Sequence, residues 1–271
     1  MHPMLNIAIR IVRKVGAFIV QAYDSQPTIY NQKIHLCDII NKIINKSESM
    51  MMDMICKSYS NHIIITNKKK FFNFKNNTIY WIINSLNGKN NFNNKIPFFC
   101  ISISVINNKQ NEISVIYDPL QNELFTAVKG QGSKLNGYRI RCDNSLPISH
   151  SIVSVNNNFF NLKKINENNL YSQLISKLYS DGIRFRCISS FLLNLAYISA
   201  GRLQGLIHID IKKIDFISGK LHLQESGISI SDIPELIISN RENYSNILIG
   251  NAKIIKYFHD TFTYIFNKQN N

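Results

Sequence analysis

Two asparagines lie three residues apart in the segment WIINSLNG, residues 81–88, and their types and spacing suit metal or phosphate chemistry. The segment predicts a strand that ends in a tight turn, with Asn84 and Asn87 flanking the turn. An aspartate at either position would give Mg²⁺ a charged, hard oxygen ligand, whereas asparagine gives only a neutral carbonyl oxygen. The residue types therefore indicate a turn that could hold Mg²⁺ only weakly.

Two other polar positions and a group of lysines belong to the same candidate site. Asn67 ends a short apolar strand, and Asp215 opens a late helix in the segment IDFISG, residues 214–219. Lysines at positions 68–70 and 89 add positive charge close by. Because a contact between like charges at about 4 Å costs roughly 1–4 kcal/mol, these lysines would oppose Mg²⁺.

Three more candidates have an ordinary structural interpretation beside a functional one. Ser189 and Ser190 precede a predicted helix, where a serine is a common N-cap. His208 lies on a predicted strand, where a single histidine is more often structural than ligand-binding. We keep all three as candidate substrate contacts.

Helical and strand periodicities alternate along the whole chain and predict a layered α/β or α+β fold. The pattern predicts one domain over 1–271, with possible halves 1–145 and 146–271. Helices are expected at 4–23, 38–58 (with Asp38 as its N-cap), 167–180, 190–200, 215–226 and 252–267. Strands are expected at 63–66, 78–83, 97–107, 112–118, 123–128, 151–155, 183–187, 204–209, 228–231 and 246–250.

The composition is that of a globular protein with a large excess of positive charge. Hydrophobic residues make up 45% and charged residues 18%, and 31 Lys and Arg against 17 Asp and Glu give a formal net charge of +14. Such a balance favours polyanionic partners such as RNA. The chain is also rich in Asn, Ile and Lys, so drift towards A/T-rich codons is an alternative explanation for the same charge.

The cysteines and the hydropathy pattern indicate in which part of the cell the protein is expected. The five cysteines are scattered and form no C-x-x-C pair, which suits a reducing cytoplasm better than a zinc or disulfide site. No apolar run approaches the length needed to span a bilayer. We therefore expect a cytoplasmic protein without a membrane partner.

The spacing of Asn67, Asn84, Asn87 and Asp215 resembles that of the inositol monophosphatase family, a group of Mg²⁺-dependent phosphatases. The segments 1–19, 117–137 (YDPLQNELFTAVKGQGSKLNG) and 195–205 (LAYISAGRLQG) are similar to one bacterial branch of that family. The resemblance covers essentially the whole chain. It implies an αβαβα layered sandwich and a homodimer.

The resemblance also implies the original role of each site position. In the family, a Glu after a strand and the two aspartates of a D-P-L-D-G-T turn bind metal; here these positions hold Asn67, Asn84 and Asn87. An aspartate on the second helix is matched by Ile44, and only Asp215 keeps its carboxylate. Lys89 and Asn90 replace two threonines, the region of Ser189 and Ser190 contacts substrate phosphate, and His208 replaces a Glu that contacts the inositol ring.

One carboxylate of five therefore remains at the positions that bind cations in the family. Catalysis with several metal ions needs these ligands together, since the metals activate a water and neutralise the leaving group. We expect Mg²⁺ binding and phosphatase chemistry to be lost or severely weakened, with no resident cofactor and no functional catalytic residue.

The resemblance to the bacterial branch implies a role that needs a surface and no metal. Members of that branch act with Nus factors on RNA polymerase, in antitermination of ribosomal RNA transcription and co-transcriptional rRNA folding. The expected partners are RNA polymerase, Nus factors and rRNA. The alternatives are a residual Mg²⁺-dependent phosphatase of inositol phosphate or a related sugar phosphate, and a general RNA-binding module.

Overall fold

The computed structural model describes residues 2–26, 33–66, 73–142, 146–155, 165–233 and 244–270. In this part of the chain, two β-sheets alternate with layers of helices. The helices are α1 (Pro3–Asp24), α2 (Lys33–Ser58), α3 (Lys89–Asn93), α4 (Ile165–Ser180), α5 (Phe191–Ser199), α6 (Lys213–Ser226) and α7 (Ala252–Asn270).

The first sheet has seven strands in chain order, and every neighbouring pair is antiparallel except β1 and β2. Its strands are β1 (Ile63–Thr66), β2 (Ile79–Asn87), β3 (Cys100–Asn107), β4 (Gln110–Asp118), β5 (Glu123–Val128), β6 (Gly132–Leu135) and β7 (Tyr138–Ile140). From β3 to β7 the connections are short, so each strand pairs antiparallel with the next strand in the chain.

The second sheet has five strands in the order β11-β12-β10-β8-β9. Its strands are β8 (Ile152–Val155), β9 (Arg184–Arg186), β10 (Gly205–Lys212), β11 (Ser229–Asp232) and β12 (Tyr244–Gly250). The pairs of β8 with β9 and with β10 are parallel, and helices connect those strands along the chain.

Three apolar cores show how the layers are stacked. The apolar face of α1 and residues of α2 pack on the first sheet around Trp81 and Ile103. Helix α5 fills the space between the sheets, where Leu192 and Leu195 share a core with Phe125 of β5 and Ile249 of β12. Helices α4 and α7 cover the far face of the second sheet. The order is α–β–α–β–α, as the family resemblance implies.

Several predicted boundaries were wrong. Helix α2 begins at Lys33, so Asp38 lies inside the helix and is not its N-cap. The sequence also missed α3, β6 and β7. The two strands are short, Lys134, Tyr138 and Arg139 are exposed, and turns at Gly130 and Gly137 interrupt the period-two pattern. Within the described residues, no helix is long and apolar enough to cross a membrane. The single-domain assignment stays a prediction.

Candidate functional site at the end of strand β2

An irregularity at the end of β2 brings the two asparagines to the site. The register of β2 against β3 shifts between Asn84 and Asn87, which interrupts the strict alternation of side chains along the strand. Gly88 then turns the chain into α3 with a φ of +98°, and a Cβ there would lie 2.8 Å from the Phe98 carbonyl oxygen. Only glycine meets both requirements without strain, so the turn depends on this residue.

Asn84 uses its side-chain oxygen to shape the turn. The Oδ1 atom accepts a hydrogen bond from the Leu86 N–H at 3.2 Å, and the residue is buried. Its Nδ2 atom has no hydrogen-bond partner among the described residues. An unpaired buried donor costs about 1–3 kcal/mol, so the amide is poorly matched to this environment.

Asn87 connects the end of β2 to the start of α5. Its Oδ1 atom accepts hydrogen bonds from Ser190 Oγ at 3.0 Å and from the Leu192 N–H at 3.1 Å. Leu192 is the second residue of α5, and its N–H is one of those that a helix cannot satisfy internally. Asn87 therefore caps a helix that lies more than a hundred residues further along the chain.

Ser189 and Ser190 lie beside this turn. The side chain of Ser190 does not cap its own helix, so the predicted N-cap was wrong in this respect. Its hydroxyl donates to Asn87 instead. The Ser189 carbonyl accepts a hydrogen bond from Asn91 Nδ2 of α3 at 3.2 Å, which ties the two segments together.

Asn90 follows Lys89 in α3 and is exposed. Its carbonyl oxygen accepts a hydrogen bond from Asn94 Nδ2 at 2.8 Å. The described contacts of Asn90 therefore lie within the short helix and its end, and none reaches the serines.

A cavity of about 580 Å³ lies between α2 and the end of β2. The lining residues that bear on its chemistry are Asn41, Ile44, Glu48, Asn84, Lys89 and Lys212. The Lys89 ammonium donates to Asn41 Oδ1 at 2.9 Å. Glu48 is a buried carboxylate that sequence reasoning missed. Its position one helical turn after Ile44 is the signal that could have identified it.

His208 is buried and Asp215 is partly buried, and both have shifted pKa values. Asp215 lies in the first turn of α6, where burial raises the pKa of its carboxyl to about 6 against the opposing effect of Lys212. Burial lowers the pKa of His208 to about 3, so its ring is neutral at pH 7. The His208 ring packs edge-on against Phe191 at 4.8 Å, and the structure does not bring it to the cavity.

The amide oxygens at this site are poor ligands for Mg²⁺. The amide oxygens of Asn84 and Asn87 already accept hydrogen bonds from the protein, and Ile44 offers no donor atom. Lysines at 89 and 212 line the cavity. Mg²⁺ needs near-octahedral oxygen coordination and gives up water reluctantly, so engaged neutral oxygens are poor ligands. Asn67 and the lysines at 68–70 lie outside the described residues.

The five-layer fold and the bulged strand that turns at a glycine into a short helix define a phosphatase-type scaffold. The chain belongs to the inositol monophosphatase family, whose model matches residues 1–259. This confirms the family that the sequence resembles.

Several proteins similar to this chain over most of its length share one name. A protein named Nus factor SuhB from Buchnera aphidicola subsp. Baizongia pistaciae is 44% identical over 263 residues, which are 94% of each chain. A Nus factor SuhB from Buchnera aphidicola subsp. Schizaphis graminum is 46% identical over 235 residues, covering 87% of this chain and 86% of the relative. The bacterial branch that the sequence resembles is therefore the SuhB branch.

Solved structures confirm the fold. A Thermotoga maritima IMPase superposes with a TM-score of 0.78 over 98% of this chain and 99% of that one, at 21% identity. At this identity the likeness concerns architecture alone.

Proposed function

We propose that this chain is a SuhB-type Nus factor that supports antitermination of rRNA transcription and co-transcriptional rRNA folding. The observation that carries the proposal is the sequence identity of 44%, over 94% of the chain, with a protein named Nus factor SuhB. We place the protein in the cytoplasm as a homodimer, with RNA polymerase, Nus factors and rRNA as its partners.

We further propose that phosphatase activity is lost. The support lies in the roles that Asn84 and Asn87 now have: one side-chain oxygen shapes the turn and the other caps α5. These roles hold the scaffold together and need no cation. A protein that acts through its surface can keep such a scaffold while its metal site changes, because fold and activity are separable.

A transcription assay tests the proposed Nus function. A tagged copy is added to RNA polymerase that transcribes an rRNA leader followed by a terminator, with and without Nus factors. We expect the protein to be retained on the polymerase and read-through to rise only when Nus factors are present. The variant N84D/N87D should behave like the parent, since the site is not part of this activity. No retention and no change in read-through would refute the proposal.

A residual phosphatase is the second candidate, and two carboxylates favour it. Glu48 lines the cavity, and Asp215 lies three residues after Lys212, which also lines it. The test is hydrolysis of inositol monophosphate in excess Mg²⁺ by the parent and by Asp215→Ala. Turnover by the parent that Asp215→Ala abolishes would establish this candidate, whereas equal background in both would exclude it.

A further inference from the structure

A second and larger cavity, of about 940 Å³, lies between α1 and strands β5 and β6. We call it the cationic groove and define it by Arg10, Arg13, Asn122, Gln131, Lys134 and Asn136, which line it. All six side chains are exposed. The groove shares no lining residue with the cavity beside Asn84.

The positive charge of the groove comes from both of its walls. Arg10 and Arg13 are three residues apart and so lie on one face of α1. Lys134 faces them from β6. The guanidinium of Arg139 lies over Gly132, which also lines the groove, since a Cβ built there would be 3.0 Å from Arg139 Nε. Among the described residues that line the groove, none is an aspartate or a glutamate.

The amides of the groove are oriented to donate hydrogen bonds. Asn122 Oδ1 accepts a hydrogen bond from the Tyr117 hydroxyl at 3.0 Å, and Asn136 Oδ1 accepts one from the Leu124 N–H at 2.8 Å. Because both amide oxygens already accept hydrogen bonds, the two side chains can donate hydrogen bonds to a ligand through their NH₂ groups. The groove thus combines fixed cations with amide donors, which suits a ligand that carries many anionic oxygens.

The exposed side chains of the groove indicate which of two polyanions, a nucleic acid or an acidic protein segment, suits it better. Protein interfaces have an apolar, aromatic core and are depleted in lysine, whereas nucleic-acid interfaces are more polar and much more positive. Four aliphatic residues also line the groove: Leu5 and Leu124 are buried, at 8% and 6% exposed, and Ile9 and Val128 are half-buried. The side chains that are exposed in the groove are mainly cations and amides, so they fit a phosphodiester backbone better than an acidic protein segment.

We propose that the cationic groove binds RNA through its phosphates, with Arg10, Arg13 and Lys134 as the charged contacts. The choice of RNA rests on the proposed function, because a Nus factor that assists rRNA folding works beside RNA. No aromatic stacking platform lines the described groove apart from the His2 ring, so binding follows the backbone and is not sequence-specific.

The test measures binding of a labelled single-stranded RNA of about 12 nucleotides, a typical site size, across a series of salt concentrations. Three phosphate contacts predict a slope of log K against log salt of about −2, and R10A/R13A should reduce its magnitude by about 1.4. At about 0.15 M salt the same variant should bind roughly tenfold more weakly. Both arginines are exposed, so the variant is expected to fold.

The matched control is K57A/K256A, which removes two exposed lysines on α2 and α7, away from the groove. It lowers the net charge by the same amount and should bind RNA like the parent. If both double variants lose affinity equally, binding reflects net charge and the proposal is overturned. It is also overturned if R10A/R13A abolishes binding of a labelled polyglutamate peptide but leaves RNA binding intact.

The two proposals can fail separately. Retention of the parent on RNA polymerase without groove-dependent RNA binding would refute the groove and leave the Nus function standing. Groove-dependent RNA binding without retention on the polymerase would refute the Nus function and leave a general RNA-binding protein.

Discussion

Asn87 has a structural role at a position that the resemblance assigns to metal binding. In the family pattern this position carries an aspartate that binds metal; here its amide oxygen joins β2 to the N-terminus of α5. An aspartate could make the same two contacts, since a carboxylate is also a good acceptor at a helix start. The change from Asp to Asn therefore removes charge and keeps the cap.

The capping role predicts a specific pattern of stability. Asn87→Ala leaves the Leu192 N–H unpaired and should lower the free energy of unfolding by about 1–2 kcal/mol. Asn87→Asp should stay within about 0.5 kcal/mol of the parent, because the acceptor remains. Urea denaturation measures both, with Asn90→Ala at an exposed position of α3 as the control. An Asn87→Ala protein as stable as the control would show that the cap contributes nothing.

Restoring the family's carboxylates should restore the cation site. The variant N67E/N84D/N87D/I44D replaces four neutral side chains with oxygen ligands at the positions that the family uses. We expect calorimetry to detect no Mg²⁺ binding by the parent and saturable binding by the variant, because charged oxygens can compete with water for Mg²⁺. Mg²⁺ binding by the parent itself would contradict the interpretation of the site as vestigial.

At the scale of the elements, the sequence predicted long periodic segments and missed short polar ones. Helices α1 and α7 and strand β4 carry apolar patterns strong enough to be recognised without tertiary information. Strands β6 and β7 do not, because their pairing partners and not their own residues make them strands.

At the candidate site too, the sequence predicted local features and missed a contact that depends on the fold. The sequence identified Asn84, Asn87 and the two serines, since motif spacing is local. It could not reveal the bond from Asn87 to Leu192, because 105 positions separate the two residues and only the fold brings them together.

The turn between β2 and α3 predicts that alanine destabilises the protein more at one glycine than at another. Gly88→Ala combines a φ of +98° with a Cβ at 2.8 Å from the Phe98 carbonyl oxygen, so both backbone strain and a steric clash oppose it. Gly130 also has a positive φ, but nothing lies within 4 Å of its Cβ position.

We expect Gly130→Ala to cost about 1 kcal/mol and Gly88→Ala at least about twice as much. Chemical denaturation of the two variants gives the comparison. Equal losses would mean that the chain around Phe98 relaxes freely, and the rigid turn would then be the wrong description.

At the scale of the whole molecule, part of the positive charge lies together in the cationic groove. A net charge of +14 alone does not separate RNA binding from drift in base composition. Drift would spread lysines over the surface without regard to the fold. The cationic groove instead places two arginines and a lysine opposite each other across a concavity with no acidic lining residue in the described chain. The salt-dependence measurement therefore bears on the origin of the charge as well as on function.

The buried histidines predict how stability depends on pH. Burial lowers the pKa values of His208 and His222 to about 3 from a usual value near 6.5. Below pH 6.5 the unfolded chain therefore binds protons that the folded protein cannot, and stability falls as the pH falls towards 3. Asp215 has the opposite effect on stability. Its pKa is raised to about 6, so as the pH falls the folded protein binds this proton before the unfolded chain does.

Between pH 7 and pH 5 each histidine removes about 2 kcal/mol of stability and Asp215 returns about 1 kcal/mol, so these three groups give a net loss of roughly 3 kcal/mol. Urea denaturation at several pH values measures the slope. In H208Q/H222Q the loss should vanish or reverse sign, whereas His150→Gln, at an exposed position, should keep the parental slope. A parental slope in the double variant would place the acid sensitivity in other groups.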